Sequence, residues 1–190
     1  QILPTLLEII DKSDNQYKSN IICTLIVMLD IYNNEISFDL LSKKWKDLFG
    51  IVSSLPYSEA RITAEMGDSR KLSLDDNAAT FLLTSPPYIN VFNYHQKYRR
   101  SVEALGFDVL DIAKQEFGSN RKNRGNRLLT VIQYCIDMAL SMSEAIRVCE
   151  NGSRMIYVVG RESTVLGYTF CNSELIYNIG VSIFGLPFLL

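Results

Sequence analysis

The sequence predicts an α/β fold, a mostly parallel sheet with flanking helices preceded by a helical segment, and three observations predict it. Apolar residues recur at helical spacing through the first 58 residues. From Ala60 onward short apolar runs alternate with helical patterns, the order that produces a parallel, doubly wound sheet. The run FLLTSPPYIN, Phe81 to Asn90, stops abruptly at two prolines, as a buried strand does at its end, because neither proline can donate to a ladder.

The helical segment, residues 1–58, carries Leu3, Leu6, Leu7 and Ile10 on one face, then Ile21, Ile22, Leu25, Ile26 and Leu29 on another. Ser37 is placed to cap a third helix bearing Leu41, Trp45, Leu48 and Phe49, with Gly50 as its stop signal. Residues 1–59 hold eight acidic side chains against five lysines, which makes this part a poor phosphate binder and a helical cover or insertion. The second part, residues 59–190, opens on ARITAEMGD, read as a strand ending at Gly67-Asp68. A turn over LSLDDNA leads into the strand before SPPY. Residues 91–127 read as polar loop with one amphipathic piece around Val102 to Ala113. Leu128, Ile132, Cys135, Ala139, Ser143 and Ile146 mark a long helix ending near Asn151-Gly152. RMIYVVG follows as a strand, Ser173 to Gly185 as a helix, and LPFLL as the start of a strand.

Composition excludes some function classes. A hydrophobic fraction of 47%, a charged fraction of 21% and a net charge of -2 describe an ordinary globular chain, so any polyanion site must be local. Cys23, Cys135, Cys149 and Cys171 are widely spaced with no CxxC, against zinc and against a secreted disulfide framework. A reducing cytoplasm is the default, and no metal is expected. Ile21 to Leu29 is too short to span a bilayer, and no signal peptide is evident. The first residue is Gln and the last run is GLPFLL, which suggests a fragment of a longer chain.

The chemistry concentrates at Ser85-Pro86-Pro87-Tyr88. A residue before proline is driven out of the helical region, so Ser85 and Pro86 are both held extended, and their acceptors sit on a stiff turn beside Tyr88. The carboxyl end of a strand in an open α/β sheet is where ligands bind. A rigid turn before a helix is the plain alternative, as is a proline ligand for another domain, although such ligands usually read P-P-x-Y. Asp68 closes the preceding strand, with Ser69 next to it, and is otherwise a turn or cap aspartate. GSNRKNRGNR, residues 118–127, carries Arg121, Lys122, Arg124 and Arg127 with no acid and suits a loop that tracks phosphates, or a solvated charge run. Tyr94, His95, Lys97, Tyr98, Arg99 and Arg100 extend the same kind of surface.

GDSRKL, LDDNAATFLLTSPPY, a helix ending in NG, and RMIYVVG together resemble the later motifs of the amino-methylating DNA methyltransferases that use S-adenosylmethionine, over roughly residues 60–190. That family's signature is [DNS]-P-P-[YFW]. The resemblance implies a partial Rossmann-like methyltransferase core, in which Ser85, Pro86, Pro87 and Tyr88 bind the exocyclic amine of a flipped base. Asp68 and Ser69 would touch the cofactor, and Arg121, Lys122, Arg124 and Arg127 would hold DNA. An exocyclic amine is a poor nucleophile because its lone pair is conjugated into the ring. Acceptors that grip both hydrogens favour the tetrahedral nitrogen that attacks the sulfonium methyl. A base out of its stack also needs an aromatic face, here Tyr88. No cysteine follows the prolines, against ring-carbon methylation, and serine in the first position favours cytosine-N4 over adenine-N6.

None of the ten glycines has another two positions away, so the Gly-x-Gly cofactor turn of the family, and the ribose-binding acid after it, are missing. The S-adenosylmethionine site is therefore expected to be incomplete, with the remainder in a preceding segment or a partner chain. Two further readings stand beside the DNA methyltransferase of a restriction-modification system: a catalytically silent nucleic-acid-binding module, and an RNA base-amine methyltransferase.

Overall fold

The computed structural model describes residues 2–31, 33–89, 96, 98–118 and 126–187. In chain order its elements are α1 (Ile2–Asp11), α2 (Gln16–Leu29), α3 (Phe38–Ser54), β1 (Ala79–Thr84), α4 (Arg99–Ala104), α5 (Val109–Gln115), α6 (Leu128–Val148), β2 (Cys149–Tyr157), β3 (Glu162–Val165), β4 (Tyr168–Cys171) and α7 (Asn172–Phe184). They divide into two compact units, residues 1–63 with 94–112, and residues 64–93 with 113–190; α5 runs across the division.

The first unit is helical because its apolar residues fall on turns three and four apart. Leu6, Ile22, Leu25, Ile26, Leu29 and Leu48 form its core, with Leu105 packed against them. Asn15 caps α2 by accepting from the Lys18 N–H at 3.1 Å, and Ser37 caps α3 by accepting from the Leu40 N–H at 3.1 Å. Gly50 does not stop α3, which continues to Ser54. The reason is that a mid-helix glycine costs only about 1 kcal/mol, within what the packed apolar face offsets. The chain comes back to this unit through α4, where the fully buried Ser101 hydroxyl accepts from the Ile31 N–H at 3.1 Å. The amphipathic piece expected around Val102 to Ala113 is thus two short helices, α4 and α5, broken at Gly106, whose φ is +90°.

The second unit is mixed α/β. Its main sheet is a parallel pair, β1 with β2, in which Phe81 lies opposite Arg154, Leu82 opposite Met155, Leu83 opposite Ile156 and Thr84 opposite Tyr157. The ladder runs one step further, as the Val158 N–H donates to the Thr84 carbonyl at 2.8 Å. Parallel strands need a crossover, and α6 forms its last leg before β2 begins at Cys149. The helix therefore ends sooner than Asn151-Gly152, and those two residues lie inside β2. The FLLT strand is not buried on both sides: Phe81 is 52% exposed and Leu83 64%, while Leu82 and Thr84 are half-buried. Helices cover one face of the pair and leave the alternate side chains open.

The core of this unit joins Ile89, Val131, Tyr134, Met138, Met142, Val165, Ile176 and Ile179. A hairpin of β3 and β4 forms a separate antiparallel pair. Its two-residue turn, Leu166-Gly167, has φ of +52° and +83°, the signs a type I′ turn requires. The strand expected over residues 60–68 is absent. That stretch is exposed and irregular, with a single isolated bridge between Asp68 and Lys71, because no described strand lies beside it to complete a ladder. Leu186 and Pro187 are not in a strand, and the rest of LPFLL lies outside the described residues.

What holds the irregular stretch in place is α6. Asp137, 2% exposed, accepts from Arg70 Nη1 at 2.8 Å and Gln133 Nε2 at 3.0 Å on one oxygen, and from the Gly118 N–H at 2.8 Å on the other. Gly118 has φ of +63°, and a Cβ there would come 3.3 Å from the Tyr134 ring, so both backbone and space call for glycine. Further along the same face, Glu144 accepts from the Leu72 N–H at 2.9 Å. Arg147 Nη1 donates to the Leu74 carbonyl at 3.0 Å and to Asp76 at 2.6 Å. We expect Asp137→Ala to lower the unfolding free energy by about 2 kcal/mol, since it takes one acceptor from the half-buried Arg70, which keeps Asp68 and the Gln115 carbonyl, and leaves the Gly118 N–H without its acceptor. Asp137→Asn, which keeps the shape, should cost about half as much. Urea denaturation of both variants checks the order.

Candidate active site

The SPPY turn leaves the carboxyl end of β1 and is pinned from behind. Pro86 is buried, Pro87 and Tyr88 are half-buried, and Ile89, at 1% exposure, is part of the core. Ser85 alone is exposed. The two prolines fix their own φ, Ile89 anchors the exit, and the Val158 bond to Thr84 anchors the entry. Ser85 and the Pro86 carbonyl therefore sit on backbone with little freedom left.

Two further elements meet this turn. Gly160 follows the end of β2, and a methyl group added there would lie 3.0 Å from Tyr88 Cε1 and 3.3 Å from Cζ, so the ring rests against the glycine. The Gly160 carbonyl accepts from Asn172 Nδ2 at 2.8 Å, at the first turn of α7. Neither Gly160 nor Asn172 is singled out by sequence; the position of Gly160 just after the VVG run is the only cue to it. Tyr157, paired with Thr84 at the mouth of the turn, has its hydroxyl pKa pushed up to about 12, first by burial. It stays neutral across the physiological range and is no base. Burial also pushes the Cys135 and Cys149 thiols up, away from nucleophilic thiolate.

Asp68 and Ser69, expected at a cofactor, are exposed, and the Asp68 carboxylate is bonded to Arg70. One oxygen accepts from the Arg70 N–H and Nε, both at 2.9 Å; the other accepts from Nη2 at 2.7 Å and from Nε at 3.1 Å. Three N–H groups meet this carboxylate, the Nε hydrogen being shared between its two oxygens, and the side chain stays half exposed. Arg70 is in turn held by Asp137 and by the Gln115 carbonyl at 2.7 Å. Arg70 thus shares the Asp68 carboxylate with solvent. Of the basic loop, Arg127 is exposed at the start of α6, while Arg121, Lys122 and Arg124 lie outside the described residues. Tyr94, His95 and Lys97 do so too. Tyr98 to Arg100 belong to the first unit, where Arg99 pairs with Glu103 at 2.6 Å.

Among the described residues no group of three or more His, Cys, Asp or Glu could hold a metal ion, and no helix is long and apolar enough to cross a membrane. No family model, curated protein or solved structure matches the chain.

The electrostatics of this region set its response to acid. Hydrogen bonding to Arg70 holds the Asp68 carboxyl below its ordinary value, and Arg147, with the Leu72 N–H, holds Glu144 down to about 2 from 4.5. A depressed carboxylate stabilises the folded chain above its unfolded pKa, and the contribution disappears as the pH falls through the folded one. We expect stability to decline between about pH 4.5 and 2, and the decline to be shallower in Glu144→Gln. Denaturant midpoints measured from pH 7 to 2 check this; equal slopes would refute it.

Proposed function

We propose that the chain is the target-binding part of a S-adenosylmethionine-dependent DNA methyltransferase acting on the exocyclic amine of a flipped base, cytosine-N4 ahead of adenine-N6. The observation that carries the reading is the SPPY turn itself, a backbone-fixed set of acceptors at the carboxyl end of a parallel strand, with an aromatic ring seated beside it. Ser85 Oγ and the Pro86 carbonyl accept the two amine hydrogens and so free the nitrogen lone pair from the ring. Tyr88 replaces the stacking that the base loses on leaving the duplex. S-adenosylmethionine supplies the methyl group when bound; Asp68, whose carboxylate Arg70 holds in place, and Ser69 would touch it.

One observation favours a second reading. The hold of Arg70 on Asp68 also suits a catalytically silent nucleic-acid-binding module that keeps the base pocket and takes its cofactor site from a partner chain. An RNA substrate in place of DNA is distinguished by competition between the two.

Transfer of labelled methyl from S-adenosylmethionine to genomic DNA by the full-length chain tests the proposal, and digestion to nucleosides identifies the base. We expect Ser85→Ala combined with Pro86→Ala to lower transfer at least about 100-fold, the scale of losing one preorganised polar partner in an active site. Undiminished transfer in that variant would sink the assignment. DNA binding without transfer would favour the silent module.

A further inference from the structure

Gly160 and Asn172 are outside the SPPY motif, yet both act on Tyr88. The glycine is needed for space: three ring atoms of Tyr88 lie 3.0, 3.3 and 3.5 Å from where its Cβ would be, tighter than an alanine accepts without displacing the ring. The backbone it belongs to is clamped by Asn172, which uses two donors on two consecutive carbonyls. Its Nδ2 bonds the Gly160 oxygen at 2.8 Å, and its own N–H bonds the Arg161 oxygen at 3.1 Å. Asn172 is 1% exposed, and its Oδ1 is buried with no hydrogen-bond partner among the described residues.

An amide oxygen buried without a donor is a net cost to folding, and in native proteins such costs call for an explanation. Here the other end of the same amide fixes the peptide against which an active-site aromatic rests. A smaller or apolar residue at 172 would avoid the orphaned oxygen and lose the clamp. The arrangement trades stability for position, as strained groups at functional sites do.

We propose that Asn172 and Gly160 are positioning residues for Tyr88: the asparagine locks the Gly160 peptide, and the side-chain-free peptide sets the plane in which the Tyr88 ring lies. The base that stacks on this ring rests on the methyltransferase reading; the clamp on the ring does not.

The test is fluorine NMR on the full-length chain labelled with 3-fluorotyrosine, with the Tyr88 resonance assigned from Tyr88→Phe. Asn172→Ala, and Asn172→Asp, which keeps the volume and loses the side-chain donor, should each shift or broaden the Tyr88 signal, as should Gly160→Ala. The other tyrosine signals should change little, while the melting temperature falls in the Asn172 variants, most in Asn172→Asp, which buries a carboxylate against the Gly160 carbonyl. In the same variants, titration with single-stranded oligodeoxycytidine should show affinity reduced roughly tenfold, the scale of one lost base-aromatic stack. A Tyr88 signal unmoved in folded Gly160→Ala and Asn172→Asp overturns the proposal. If the Asn172→Ala and Asn172→Asp variants fail to fold, Asn172→Ser and Gly160→Ala decide it. A wild-type chain that binds no oligodeoxycytidine removes the base, and with it the functional reading, while the fluorine shifts still decide the clamp.

Discussion

A carboxylate 2% exposed, on a helix otherwise packed with Tyr134, Met138 and Met142, is tolerable only if its lone pairs are met, and Asp137 meets them with donors from three stretches of chain. Arg70 comes from the irregular segment after Gly67, Gly118 from beyond α5, and Gln133 from one turn earlier in α6. The Arg70 bond matters most for the placement of β1, because residues 64–77 have no ladder and no helix of their own. Arg70 enters as a fork, and its remaining donors order Asp68 and the Gln115 carbonyl. From there Glu144 and Arg147 continue the attachment through Leu72, Leu74 and Asp76. The Asn77 N–H bonds the Arg147 carbonyl at 3.0 Å just ahead of β1. One polar face of α6 thus sets where β1 starts, and so where the SPPY turn comes out.

The sheet that β1 joins is unusual in its exposure. Phe81, Leu83, Ile156 and Val158 are apolar, share one face of the parallel pair through its register, and all stand open to solvent. The near-continuous apolar composition of FLLT is that of a strand covered on both faces. The elements packed on the pair cover only the side carrying Leu82, Met155 and Tyr157. This difference is why the composition reads as a buried strand while the strand itself is half open.

Periodicity made α1, α2, α3, α6 and α7 legible, because each buries a stripe of apolar residues at helical spacing. The β1 and β2 strands were legible as apolar runs bounded by turn residues. The β3–β4 hairpin was not, since each strand is four residues long and the turn is Leu166-Gly167, in which leucine stands where an asparagine or aspartate would announce a type I′ turn. ARITAEM has strand-like alternation but no strand among the described residues to pair with, and alternation alone does not make a ladder. In the site, the SPPY turn could be read because its rigidity is local, written into two prolines. Gly160 and Asn172 could not, because what joins them to Tyr88 is tertiary contact across the β2 crossover. Asp137 escaped notice for the same reason: in sequence it is one acid on a helix, and only its burial distinguishes it.

The SPPY turn and Asp68 therefore differ in how they are held. Nothing in the turn depends on a bound ligand: the prolines fix φ, Ile89 is sunk in the core, the ladder fixes Thr84, and Tyr88 lies on a clamped glycine. Such a turn is preorganised, and preorganised acceptors act at the moment of reaction without reorganisation cost. Asp68 is held by the backbone N–H and the guanidinium of Arg70, which is itself tied to a buried carboxylate. Anything that displaced Arg70 would also loosen Asp137, so the state of Asp68 is coupled to the anchor of the whole 64–77 segment. The SPPY turn is finished by local backbone and core contacts, whereas Asp68 depends on a side chain that it shares with Asp137 and the Gln115 carbonyl.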